Sequence, residues 1–192
     1  MAIVESCCAS LTHNAVCVML RTKLHKERFD MKKQILSFKC AFRGIWYTVK
    51  NESHMRFHMV AGFYVLLFSL FYNFSAVQTA LLIILIALIM FAEILNTCIE
   101  ELCNLIADKY EPLIRIAKDT AAGAVLVLSI AAAITAVIFF LDFDVLYGIF
   151  LFFCANPVLL VLLLISAVFS VVFIVLGPVG IKEKLLRLKI KM

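Results

Sequence analysis

In VQTALLIILIALIMFAEILNTCIEELCNLIA, residues 77–107, no charged residue occurs before Glu93, and polar groups recur from there to the end. An uninterrupted helix of this length would extend roughly 46 Å, longer than the ~30 Å hydrocarbon layer of a bilayer. Its apolar part therefore spans a membrane and its last turns emerge into water. The whole chain follows the same pattern: 65% of its 192 residues are hydrophobic, 16% are charged and the mean hydropathy is +1.06. That excess is too large for the core of a soluble domain, so the bilayer is the solvent for most of the chain.

The net charge of +5 does not point to nucleic acid, because of where the charges fall. Ten Lys/Arg lie in residues 21–58, three in 109–118 and five in 182–191. The polar breaks at residues 72–75 and 141–144 contain none. This is the positive-inside arrangement, with basic segments flanking membrane helices on the cytoplasmic side. The seven cysteines (7, 8, 17, 40, 98, 103 and 154) have no zinc-knuckle spacing and read as small, soft hydrophobes.

Around the central stretch, the reading is an all-α membrane protein. Between Met31 and Lys50 apolar residues recur at Ile35, Phe38, Phe42, Ile45, Trp46 and Val49 among lysines and arginines. That is an amphipathic surface helix, with Trp46 and Tyr47 as interfacial anchors. A first span from about residue 59 to 71 follows, then the span at 77–107, a charged loop at 108–117 and a third span from Lys118 to Leu141. The apolar run 145–176 is broken at Asn156-Pro157. A single further crossing, residues 157–176, returns the basic tail to the cytoplasm, so three core spans plus one C-terminal span are expected. Residues 1–30 read as an extension, with Met31 as an alternative start. Residues 31–142 read as the functional domain, and 143–192 as an added span and basic tail. The order of the short apolar run at 15–20 and the basic residues after it is the reverse of a signal peptide.

Within the central stretch Glu93, Asn96, Glu100 and Asn104 are spaced by three, four and four residues. At 100° per residue they project at about 0°, 300°, 340° and 20°, a single face. An oxygen-rich stripe of this kind suits Mg²⁺, which takes one or two carboxylates plus phosphate oxygens, or supplies a general base. The bland alternative is a helix leaving the bilayer, and it serves for Glu101 and Asp108. Glu93 resists it, because Phe91, Ile94 and Leu95 surround it in sequence and carboxylates inside membrane spans are expensive. Lys118-Asp119, at the expected start of the third span, either satisfies free backbone donors there or meets phosphate and metal. Intramembrane carboxylates also occur in transporters, but the inverted repeats that reading calls for are not apparent.

Asn51-Glu52 with Arg56-Phe57-His58, then Glu93-Ile-Leu-Asn96-Thr-Cys-Ile-Glu100, then Ala117-Lys118-Asp119 with Ala121-Ala122-Gly123, resemble the small prokaryotic diacylglycerol kinase/undecaprenol kinase family over roughly residues 33–141. The resemblance implies an integral membrane homotrimer with active sites shared between subunits at the cytoplasmic interface of a bacterial inner membrane. It implies ATP-dependent phosphorylation of a lipid alcohol, with ATP and Mg²⁺ as cofactors. Glu93 would then be the general base, and Glu52 and Glu100 would hold the metal. Asn96, Lys118 and Asp119 would orient phosphates and reacting groups, and Gly44 would permit close approach of the nucleotide. The Asn51–His58 junction resembles undecaprenol kinases more than diacylglycerol kinases, so undecaprenol is the expected substrate and diacylglycerol the next. Asn104 stands where the family usually has aspartate. The alternative it raises is a catalytically degenerate membrane protein of the same fold.

Overall fold

The computed structural model describes residues 31, 33–106 and 112–191, with side chains described through Ile181. Residues up to Gly44 belong to one compact unit and residues from Ile45 to a second. Residues 33–51 are helical (α1). In the first unit Ile35, Phe38 and Phe42 are each about two-thirds exposed, so α1 carries an uncovered apolar face suited to a lipid surface.

In the second unit α2 (Ser53–Ser69), α3 (Ala76–Ile106), α4 (Pro112–Phe140), α5 (Phe143–Ala155) and α6 (Pro157–Lys191) follow in order, and the described residues include no strand. Helix α3 pairs most extensively with α4. Helix α2 packs on α3, α6 on α2, and α5 on α6. Few large side chains are buried. Leu, Ile, Val and Phe are exposed along α3, α4 and α6, as a bilayer rather than water requires. Three helical segments are long and apolar enough to cross a membrane: α3, α4 and Pro157–Ile181 of α6. Helix α2 has 17 residues, the lower limit for a crossing.

Local chemistry explains the boundaries. Ser75 and Gln78 form a reciprocal capping box at the start of α3: Ser75 N–H donates to Gln78 Oε1 at 2.9 Å, and Gln78 N–H to Ser75 Oγ at 3.3 Å. Across this turn the Tyr72 hydroxyl donates to the Phe140 carbonyl at 2.8 Å, closing α2 and α4 together at one end. Asp142 caps α5 by accepting from the N–H groups of Asp144 and Val145. Asn156 ends α5 and Pro157 opens α6, so the expected break is a boundary between two helices. At 13 residues, α5 reaches only about 20 Å and is too short to cross.

One boundary differs from the sequence reading. Helix α4 begins at Pro112, not Lys118, because proline suits the first helical position, where its missing N–H has no helical partner anyway. Lys118 and Asp119 therefore lie in the second turn of α4, and the reading in which they satisfy free donors at its start is corrected. Residues 107–111, and with them Asp108, lie outside the described residues, as do residues 1–30.

Candidate active site

The stripe on α3 is built as its spacing demands. Glu93 is 3% exposed although it carries a carboxylate, and Oε1 lies 3.4 Å from Nε2 of His58 on α2. One turn further on, Asn96 Nδ2 donates to Glu100 Oε1 at 2.8 Å. That bond turns Asn96 Oδ1 the other way, where it is buried and finds no partner among the described residues. An orphaned buried acceptor is a costly feature in a folded chain and marks a place for a donor or a cation.

A polar cavity of about 260 Å³ is lined by His54, His58, Glu93 and Asn96, with Ala122 and Ser129 of α4 among the opposite wall. An apolar groove of about 240 Å³ adjoins it between α2, α3 and α4, and the two share His58 and Ser129. The groove is lined by Phe57, Ala61, Val65 and Ile89 among others. A buried carboxylate thus stands where a polar chamber meets a slot for hydrocarbon. The arrangement can hold an amphiphile by its tail with its polar end beside Glu93.

Glu52 is the N-cap of α2, half-buried and in extended conformation, and its side chain makes no capping hydrogen bond. Burial raises its carboxyl above the usual range, and the negative charge of Glu100 raises it further. Two carboxylates that repel one another, with the orphaned Asn96 oxygen on the same stripe, fit a divalent cation. Among the described residues no group of three or more His, Cys, Asp and Glu could hold a metal by itself. The donor set therefore fits Mg²⁺ only as that ion is usually bound, with substrate phosphates completing its shell.

The remaining candidates are placed less uniformly. Lys118 Nζ donates to Asn104 Oδ1 at 2.7 Å, tying α4 to the end of the α3 stripe. Asp119 is largely exposed and pairs with Arg115 one turn earlier at 3.7 Å, so its carboxylate is not gathered with Glu93, Asn96 and Glu100. Gly44 falls in the first unit, and open space surrounds the position of a Cβ there.

Two contacts went unread in the sequence. The Tyr47 hydroxyl donates to Glu101 Oε1 at 2.6 Å, which raises the phenol above its ordinary value. Glu101 thus has a specific partner and does more than meet water. Arg56, only 5% exposed, donates to three backbone carbonyls. The clue was present, since an arginine at the mouth of a membrane span must find acceptors. Their identities were not.

The profile of the prokaryotic diacylglycerol kinases matches residues 39–140. The undecaprenol kinase of Bacillus subtilis (strain 168) is 37% identical over 115 residues, which is 60% of this chain and 94% of that protein. A diacylglycerol kinase of Synechocystis is 36% identical over 113 residues, covering 58% and 65%. The diacylglycerol kinase of Escherichia coli (strain K12) is 33% identical over 95 residues, covering 50% and 78%.

Proposed function

The chain belongs to the prokaryotic diacylglycerol kinase family and is a multi-pass membrane lipid kinase, and on that premise we propose that it transfers phosphate from ATP to the hydroxyl of undecaprenol in preference to diacylglycerol. The observation that carries this reading is Glu93, buried where the polar cavity joins the apolar groove. The relative named undecaprenol kinase, matched over 94% of its length, supports the choice of lipid.

In this reading residues 31–142 are the kinase domain, residues 143–192 are an added segment, and residues 1–30 stand outside both. The groove between α2, α3 and α4 holds the lipid chain and brings its hydroxyl to Glu93. Glu93 accepts the hydroxyl proton as the oxygen attacks the terminal phosphorus of ATP, the bond from that phosphorus to the bridging oxygen breaks and ADP leaves, and His58 orients the carboxylate. Glu52 and Glu100 would hold Mg²⁺, which would neutralise the phosphate charge. Asn96 fixes Glu100 and offers its free oxygen to the same centre. Lys118 donates to phosphate. Asn104 supplies the neutral acceptor that holds Lys118 in place, so this chain needs no aspartate there. Asp119 is exposed and, among the described residues, pairs with Arg115 of its own helix, which supports sites shared between subunits of a homotrimer. The positive-inside charge pattern supports a site on the inner face of a bacterial cytoplasmic membrane.

The test is a comparison of kcat/KM for undecaprenol and diacylglycerol, using purified protein in lipid nanodiscs with Mg²⁺ and ATP. Turnover with neither lipid above a Glu93→Gln control would end the kinase reading. A preference for diacylglycerol would end the substrate assignment alone.

A further inference from the structure

Arg56 bonds to two interruptions of helical backbone that lie far apart in sequence. The first is the break between α1 and α2. Glu52, at φ −99 and ψ 121, takes the chain out of helical geometry, so the last carbonyls of α1 lose their regular donors. Arg56 Nη1 donates to two of them, Val49 at 3.0 Å and Lys50 at 3.1 Å. The second interruption is in α6. An unbroken helix would satisfy the Ile174 carbonyl with the N–H of residue 178, but residue 178 is proline and has none. Arg56 Nε takes that place, donating to Ile174 at 3.0 Å across 118 residues of sequence.

The α6 kink is shaped to admit the guanidinium. Gly177 has φ +63 and ψ 175, a conformation that glycine adopts and side-chain-bearing residues resist. A Cβ at that position would stand 3.1 Å from both Cζ and Nη1 of Arg56. Nearby, the Tyr64 hydroxyl lies 2.9 Å from Ser166 Oγ and 3.2 Å from Ser170 Oγ, so α6 is held to α2 by further polar contacts. All of α6 lies beyond residue 140, where the family profile ends.

We propose that Arg56, seated in the Gly177-Pro178 kink of α6, is a positioning residue that holds the α1–α2 junction, and Glu52 within it, in the geometry phosphoryl transfer needs. The added C-terminal helix is then a working part of the kinase. Arg56 need not touch substrate; it acts through the backbone of residues 49–52. The proposal rests on the assignment of Glu52 to the metal made above, and its test separates the two.

Trp46 is the only tryptophan in the chain and precedes Val49 by three residues, so its fluorescence reports on the junction whether or not the protein is an active kinase. The variants are Gly177→Ala, which crowds the guanidinium from outside the catalytic machinery, and Arg56→Lys, which keeps the charge without the planar fork that serves separate carbonyls. Ser166→Ala is the control, since it weakens α6 docking without touching Arg56. In full-length protein in nanodiscs, Gly177→Ala and Arg56→Lys are expected to raise acrylamide quenching of Trp46, and Ser166→Ala to leave it near wild type. Turnover of the first two is expected to fall by up to about a hundredfold, as when a catalytic group is misplaced by about an ångström, with the KM for lipid held and the Mg²⁺ requirement raised. If Gly177→Ala does not assemble, Arg56→Lys carries the same test.

Unchanged Trp46 quenching in a folded Gly177→Ala or Arg56→Lys protein would overturn the proposal. So would loosened quenching with wild-type turnover, because the junction would then be free to move without consequence. A wild-type protein that phosphorylates neither lipid but whose Trp46 loosens in both variants would overturn the kinetic role through failure of the kinase assignment itself.

Discussion

Replacing Glu93 with glutamine preserves the shape of the side chain and removes its capacity to take a proton. Glu93 is 3% exposed, and His58 Nε2, 3.4 Å away, is the neighbour placed to act in its stead. A positioned general base contributes about 10² to 10⁴ in rate, or roughly 3–5 kcal/mol of transition-state stabilisation. Because His58 and the rest of the cavity remain, a loss toward the lower end of that range is expected, near a hundredfold in kcat. The groove is untouched, so the KM for lipid should hold. Stability should move the other way or stay level, because a neutral amide is easier to bury than a carboxylate. The assay is steady-state ADP release in nanodiscs with saturating lipid, paired with a thermal melt of the same preparation. A folded Glu93→Gln protein with wild-type kcat would refute the assignment of the base. A large drop in melting temperature would refute the claim that burial of the carboxylate is tolerated for function and not for stability.

Three further outcomes follow from the geometry. The raised carboxyl of Glu52 means that the folded chain holds that proton more tightly than the unfolded chain, so its contribution to stability is complete below the ordinary value of 4.5 and lost as pH rises through the folded-state value. Mg²⁺ competes with the same proton, so stabilisation by Mg²⁺ in thermal melts should grow with rising pH across that window and flatten in Glu52→Gln. Asn104→Asp places a carboxylate opposite Lys118 Nζ, now 2.7 Å from the amide oxygen, and turnover should equal or exceed wild type. A steep loss would show that the neutral acceptor is required. Tyr72→Phe leaves the Phe140 carbonyl without its donor and should lower stability by about 1 kcal/mol, read as a reduced melting temperature with turnover retained.

Much of this molecule is legible one helix at a time. Hydropathy marks α3, α4 and α6, Ser75 and Gln78 mark a helix start, and Asn156-Pro157 marks a boundary, because each depends on residues within a few positions of one another. The face shared by Glu93, Asn96 and Glu100 follows in the same way from 100° per residue, and the bond from Asn96 to Glu100 bears it out. Family membership, too, was written in motifs confined to short stretches. Helix α4 starts at Pro112 and not at the charged Lys118-Asp119 pair, because a proline at the first helical position is the stronger local start signal.

Tertiary packing alone decided what lies opposite each face. That Glu93 meets His58 and that Tyr47 reaches Glu101 depend on how helices are rotated and set against one another, which no spacing within a helix specifies. Arg56 is the clearest instance. Its acceptors are backbone carbonyls, a group every residue carries, so side-chain identity could not single them out. They became available because Glu52 and Pro178 interrupt two helices, and only the packing of α6 on α2 brings those interruptions to one guanidinium.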